Sequence, residues 1–342
     1  MKILKMLPGV LLPWYEENKR DLPWRSDREP YHVWLSEIML QQTRVEAVKG
    51  YYARFLEKLP TIEALAQCDD DTLHKLWEGL GYYSRVRNLK KAAQEIMSTY
   101  SGLFPQTYPQ VRSLPGIGDY TAGAICSIAF GLPTPAVDGN VLRVLSRLRS
   151  DGECVDDPKH KQRIRQELAR IYPPQAGEFT QALMELGATV CLPNGAPKCG
   201  SCPCASFCGK RWQEFPVRKP KASRRQEDRS VFVLRCEDSY ALTRRPSQGL
   251  LAGLWQFPDA PGHFSPAEAV AWLESQGLRP VELEKILEKK HIFTHIQWNM
   301  KGFYMTVAEP GGNFLWLDAS AIRENTALPT AYRQFWEEKN HV

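Results

Sequence analysis

Four cysteines, Cys191, Cys199, Cys202 and Cys208, fall within eighteen residues at the spacing C-x7-C-x2-C-x5-C. Four thiolates this close along a chain can close around a [4Fe–4S] cluster. Zinc is the competing occupant, because four-thiolate sites also suit it. Zinc ribbons, however, usually pair two C-x2-C knuckles, and only one short pair is present. Cys204, after Pro203, is a spare, expected as a small packed or exposed residue. Cys68, Cys126, Cys154 and Cys236 are scattered. One local cluster among nine cysteines points to a metal site rather than to a disulfide framework.

A chain of 342 residues has room for two or three domains around such a loop. No segment approaches the roughly 20 apolar residues of a membrane span. The N-terminal MKILKMLPGVLLPWYEENKR has the look of a signal peptide, but Pro8 and Pro13 interrupt its apolar run and charge follows it instead of a cleavage site. A cytoplasmic protein is expected. The net charge of +5 says little, whereas its placement says more: Lys210, Arg211, Arg218, Lys219, Lys221, Arg224 and Arg225 crowd one stretch. Such a run can attract phosphates, or be a solvated linker.

Residues 1 to about 210 read as almost entirely helical. From Tyr31 to Leu59 the residues Trp34, Ile38, Gln41, Val45, Val48, Tyr52 and Phe55 keep the three-four spacing of one helix face, which predicts a single helix ended by Pro60. After Cys208 the chain turns charged and Pro-rich, and beyond that the period becomes two. VFVLRC, YALTRR and HIQWNMKGFYMTV predict strands, with Ile296, Trp298 and Met300 facing inward, and PAEAVAWLESQG predicts a helix between them. The second region is therefore α+β.

Three further features carry chemistry. In LPGIGDYTAGAI, Gly116 and Gly118 form a short loop opening a helix near Asp119, a place where backbone amides can approach an anion. It fits a phosphate-gripping hairpin, or simply a tight helix connection. Asp138 in PAVDGNVLRVLSRL precedes a helix and suits an N-cap. Glu37 shares a helix row with Val33 and Leu40 and adjoins Trp34 and Ile38. A carboxyl among apolar neighbours has a raised pKa, as a general acid near neutral pH needs.

Together and in this order, these pieces resemble the helix–hairpin–helix superfamily of DNA glycosylases with an iron–sulfur loop, and within it the MutY family of adenine glycosylases. The resemblance is carried by LPWR at 22–25, VWLSEIMLQQTRV at 33–45, WEGLGYYSRVRNL at 77–89, LPGIGDYTAGAI, VDGNVLRVLSR and the cysteine loop. GLLAGLWQFP at 249–258 and FTHIQW at 293–298 resemble the same family's Nudix-like C-terminal domain. The resemblance implies a multi-domain protein. An all-α helical catalytic region occupies 1–215, with a helix–hairpin–helix module at about 25–130 and an iron–sulfur subdomain built from the N-terminal helix plus about 131–215. A linker at 216–229 leads to a Nudix-like α+β lesion-recognition domain at 230–342.

The implied activity is removal of adenine mispaired with 8-oxoguanine or G in double-stranded DNA, by a monomer held with the DNA in a bacterial cytoplasm. Glu37 would protonate adenine, Asp138 would stabilise the oxocarbenium-like sugar, and Tyr120 and Asn140 would hold the carboxylates and water. Arg25, Gln41, Gln42, Leu80, Tyr82, Gly116 and Gly118 would meet DNA. Phe293, Thr294 and His295 would read 8-oxoguanine. Cys191, Cys199, Cys202 and Cys208 would hold the [4Fe–4S] cluster. The family's lyase branch carries a catalytic lysine where this chain has Tyr120, which cannot form a Schiff base. That implies a monofunctional glycosylase and argues against a pyrimidine glycosylase/lyase; intact Glu37 and Asp138 argue against a non-catalytic iron–sulfur protein. Two departures stand out: a first cysteine gap of seven residues where six is common, and Phe-Thr-His where Phe-Ser-His is frequent.

Overall fold

The computed structural model describes residues 2–220 and 222–337. Lys221 of the basic run lies outside the described residues. The helices of the first part are α1 (Lys2–Asn18), α2 (Pro30–Met39), α3 (Val45–Lys58), α4 (Ile62–Gln67), α5 (Asp70–Leu76), α6 (Ser84–Thr99), α7 (Tyr108–Ser113), α8 (Asp119–Phe130), α9 (Gly139–Arg149), α10 (Pro158–Ala169) and α11 (Ala176–Thr189). The second part contains β1 (Arg225–Cys236), β2 (Ser239–Arg244), β3 (Trp255–Gln256), β4 (Asp259–Pro261), α12 (Pro266–Ser275), β5 (Pro280–Ile292), β6 (Ile296–Val307), β7 (Leu315–Asp318), α13 (Ala319–Asn325) and α14 (Thr330–Glu337). No helix among the described residues is long and apolar enough to cross a membrane.

The single helix expected from Tyr31 to Leu59 is two. α2 stops at Met39, and the chain turns through Gln42, whose φ is +59°, before α3 starts at Val45. Trp34, Ile38, Val48, Tyr52 and Phe55 are buried as the periodicity predicts, while Gln41 and Val45 are only half-buried. The break contains neither Pro nor Gly, so local propensity gives no warning of it. A left-handed non-glycine residue costs on the order of 1 kcal/mol or more and persists where its surroundings impose it.

Two compact units result. One comprises residues 1–67 and 87–220, and the other residues 68–86 and 221–342. Within the first, α1 lays Leu4, Leu7, Leu11 and Tyr15 against Val141, Leu145, Leu148, Leu183 and Leu186 of α9 and α11. That burial offsets the cost of Pro8 and Pro13, both inside α1. Cys204 is fully buried in the same core, the packed form of its two expected fates.

In the second unit the sheet runs β3-β2-β1-β6-β5, with β4 on β1 and β7 on β2. β1 and β6 are parallel, and β5 and β6 form an antiparallel hairpin around residues 293–295. β6 buries Trp298 and Met300 in alternation, as expected. The predicted helix is α12, and its Glu268 is spent on a capping box with Ser265. The linker expected at 216–229 is shorter, because β1 begins at Arg225 and pairs with Ile296. Segment 68–86 is tied into this unit by polar bonds. Arg244 Nη2 and Trp255 Nε1 donate to Asp71 at 3.0 and 3.2 Å, Lys75 Nζ donates to the Thr326 carbonyl at 3.1 Å, and the Leu328 amide donates to Glu78 at 2.9 Å.

Candidate active site

Glu37 enters the first unit from the apolar helix α2, with 6% of its surface exposed. α8 faces it. That helix is apolar along its length, begins at Gly118 and ends on left-handed Gly131. From its first turn Tyr120 donates its hydroxyl to Glu37 Oε2 at 2.5 Å, and also reaches Met184 Sδ at 3.7 Å. Burial pushes the Glu37 carboxyl up to about 7. The Tyr120 bond and the Arg25 charge pull it down, and the Asp138 charge pushes it further up. Burial, Glu37 and Asp138 together hold the Tyr120 phenol far above its usual range, so it stays a hydrogen donor.

Asp138 is the N-cap of α9, as its position before an apolar-periodic segment suggests. Its Oδ1 accepts the Val141 amide at 2.7 Å, and its Oδ2 accepts Asn140 Nδ2 at 2.7 Å. Burial raises its pKa, opposed by these donors and by Arg143. The two carboxyls are thus unlike. Glu37 receives one hydroxyl among apolar groups, whereas Asp138 receives two N–H donors suited to an anion. A coupled pair that shares one proton would keep it on Glu37.

Both carboxyls, Tyr120 and Asn140 line one cavity of about 200 Å³, together with Arg20, Arg25, Leu40, Met184 and Glu185. Arg20 and Glu185 of this lining, and Arg143 outside it, escape sequence reasoning. Glu185, 1% exposed, takes Arg20 Nε at 2.5 Å and Arg25 Nη2 at 2.7 Å, and the two guanidiniums hold its carboxyl below the usual range despite burial. Arg25, expected to meet DNA, is therefore paired here, and it also donates to the Arg20 carbonyl at 3.0 Å. Buried Arg143 fixes the Asn140 amide by donating to its Oδ1 at 2.8 Å, and bonds the Gly187 carbonyl at 2.8 Å and the Cys191 carbonyl at 2.9 Å. A Cβ on Gly187 would lie 2.6 Å from Asn140 Cβ, so only glycine lets α11 come this near. An arginine three residues after Asn140, in the middle of an apolar helix face, was the available signal for Arg143.

The expected DNA-facing residues divide. Gly116 has φ +76°, and a Cβ there would lie 2.6 Å from Asn88 Cβ, so the hairpin requires glycine twice over. Gly118 opens α8 with free space around it. Gln41 donates to Thr121 Oγ1 at 3.3 Å, and Gln42 is exposed on its strained turn. Tyr82 is 47% exposed with φ +47°, the same left-handed backbone as Gln42. Leu80 is buried, and its carbonyl accepts Arg85 Nη2 at 2.9 Å, so it shapes this loop from inside. Thr294 and His295 are exposed at the tip of the β5–β6 hairpin, where Tyr82 Oη and Thr294 Oγ1 meet at 3.3 Å. Phe293 is half-buried against Trp298. Within the basic run, Arg211 pairs with Glu214, Arg218 with Asp156 and Arg225 with Glu227.

Cys191, Cys199, Cys202 and Cys208 line a single hollow with Arg147, Lys210 and Trp212. Arg147 Nη1 donates to Cys191 Sγ at 3.4 Å, and the Lys210 amide to Cys208 Sγ at 3.4 Å. Among the described residues no three of these sulfurs come within 4.8 Å of one another. The N–H donors suit thiolates, the form in which cysteines hold a metal centre.

The sequence carries this geometry into known company. Residues 35–174 match the HhH-GPD superfamily base excision DNA repair protein family, and residues 230–338 match the NUDIX domain. The adenine DNA glycosylase of Mus musculus is 34% identical over 401 aligned positions, covering 95% of this chain and 77% of that protein. That of Buchnera aphidicola subsp. Acyrthosiphon pisum is 34% identical, covering 84% and 82%. Among solved structures, a thermostable thymine-DNA glycosylase superposes with a TM-score of 0.56 at 27% identity, over 62% of this chain and 98% of its own. A buried Glu37–Tyr120 pair opposite a capping Asp138, a glycine hairpin and a four-cysteine loop thus sit on a scaffold shared along nearly the whole length, and the chain belongs to the adenine DNA glycosylase family of base excision DNA repair proteins.

Proposed function

We propose that this protein hydrolyses the N-glycosidic bond of adenine paired with 8-oxoguanine or G in double-stranded DNA and leaves an abasic site. The observation that carries the reading is the pair of unlike buried carboxyls in one cavity. Glu37, protonated up to about pH 7, donates a proton to the departing adenine. Asp138, whose oxygens accept the Val141 amide and Asn140 Nδ2, stabilises as an anion the positive charge that develops on the sugar. Water then adds to that sugar carbon and returns a proton to Glu37. Tyr120 fixes the Glu37 carboxyl by its 2.5 Å bond and supplies no amine. The adenine must leave the base stack to reach these groups, which costs a few kcal/mol. Gln42, exposed in the same unit as the two carboxyls, is suited to fill the space it vacates. Thr294 and His295 read the base opposite. The second domain recognises rather than hydrolyses: active Nudix enzymes cluster acids on one helix for Mg²⁺, whereas α12 has only Glu268, committed to a helix cap, and Glu274.

Cys191, Cys199, Cys202 and Cys208 would hold a [4Fe–4S] cluster, which would cross-link the loop that carries them. The reading places the protein with the DNA in a bacterial cytoplasm as a monomer. The test is a single-turnover assay on duplexes with A opposite 8-oxoguanine. Strand breaks should appear only after alkali, and borohydride should trap little protein on the DNA. Breaks without alkali, or efficient trapping, would show lyase chemistry and overturn the monofunctional reading; no adenine release would overturn the activity itself.

A further inference from the structure

The hairpin tip that carries Thr294 and His295 is backed by a buried polar stack that the proposed chemistry does not use. Trp298, 1% exposed, has the Arg229 guanidinium 4.8 Å and the Arg245 guanidinium 5.6 Å from its ring centre. Both arginines are anchored away from the ring. Asp259 Oδ2 takes Arg229 Nε at 2.5 Å and Tyr332 Oη at 2.9 Å, while its Oδ1 takes Gln256 Nε2 at 2.7 Å. Arg245 donates to Gln256 Oε1 at 2.5 Å and to the Leu250 carbonyl at 2.9 Å. The indole is pinned at its edge as well, since Nε1 donates to Glu227 at 2.9 Å.

A buried ion pair is a poor way to stabilise a core, because apolar residues of the same volume often do as well. What charges and dipoles supply is orientation: a guanidinium prefers the face of the indole, and a bonded Nε1 sets its rotation. Phe293 rests edge-on against this fixed ring at 4.8 Å and 74°, with His291 on Phe293 at 4.6 Å and 66°. The Phe293 amide donates to the Ile296 carbonyl at 2.8 Å, and its carbonyl accepts Arg224 Nε at 3.3 Å. The residue just before the tip is thus clamped in side chain and backbone, and the two tip residues project from it.

We propose that Trp298, held by Arg229 and Arg245, is a positioning residue that aims Thr294 and His295 through Phe293 and so sets the preference for the base opposite adenine. The proposal rests on the reading that this tip meets that base. The measured quantity is the ratio of single-turnover rates for A opposite 8-oxoguanine and A opposite G, at one fixed salt concentration. Trp298→Leu should lower the ratio about tenfold, the low end of losing a base-edge contact. Trp298→Phe, which keeps a ring against Phe293, should hold it within about threefold of the original. In a Thr294→Ala/His295→Ala background, Trp298→Leu should add nothing.

An unchanged ratio in folded Trp298→Leu overturns the positioning role, as does a further drop of the same size in the tip-variant background. If Trp298→Leu does not fold, Arg245→Met takes its place. Its side chain is only half-buried, the expected drop is about threefold, and an unchanged ratio overturns the proposal equally. The tip variant alone tests the reading beneath: if it leaves the ratio unaltered, the tip does not read the base, and positioning falls with it.

Discussion

At the scale of single residues, the chemistry rests on how differently two carboxyls are solvated. Burial raises Glu37 from its usual 4.5 to about 7. Between these values the unfolded chain has lost the proton and the folded chain keeps it. The folded state therefore binds more protons, and its stability falls as pH rises through that window. The loss is on the order of 3 kcal/mol, and it is complete above about pH 7. Glu37→Gln lacks this titration, so its melting temperature should gain on that of the wild type as pH rises from 4.5 to 7.5. The same variant should lose roughly 10²–10⁴ in single-turnover rate, the range of a general acid. The wild-type rate should fall as pH rises past 7, a limb the variant lacks. Glu37→Gln retaining more than half the rate, or parallel melting curves across this range, would remove the acid role.

At the scale of elements, the cysteine loop shows why spacing and burial are separate information. Cys202 and Cys204 are two residues apart, but the first lines the four-cysteine hollow and the second is sealed in the core of α1, α9 and α11. A serine at 204 would bury a hydroxyl, so Cys204→Ala is the substitution that should be tolerated, whereas Cys202→Ser should not. Iron content after anaerobic purification is the measure. Cys204→Ala should keep about four irons per chain if the centre is a [4Fe–4S] cluster, and Cys202→Ser should lose iron and solubility. Equal iron in both variants would sink the assignment of Cys202 as a ligand.

At the scale of the whole molecule, the boundary of the second unit does not follow the order of the chain. Residues 68–86 lie inside the segment matching the base excision repair family, yet they share a compact unit with residues 221–342. Tyr82 and the tip residue Thr294 consequently belong to one body. Asp71→Ala/Glu78→Ala removes the acceptors of Arg244, Trp255 and the Leu328 amide. It should speed amide exchange in 68–86 while leaving α8 and α9 as they were. Unchanged exchange in 68–86 would mean that apolar packing, not these bonds, holds the segment.

The sequence by itself determined which residue types stand at each chemical position, and much of the architecture. Apolar periodicity marked most helices, alternation marked β1, β2 and β6, and the approximate order of domains was legible. Glu37, Asp138, the glycine hairpin and the four cysteines were also visible, because each needs a residue type at a defined local position. Tertiary structure alone decided the break at Gln42, since no local breaker causes it and only the surroundings impose its left-handed backbone. The family resemblance had already implied Tyr120 beside the carboxyls, whereas tertiary structure alone carried Arg143 from Asn140 to the Cys191 carbonyl. The same holds for Glu185 bonded to Arg20 and Arg25, and for Trp298 beside Arg229 and Arg245. A buried charge is stable only with its partner, and periodicity describes faces but does not name partners across the fold.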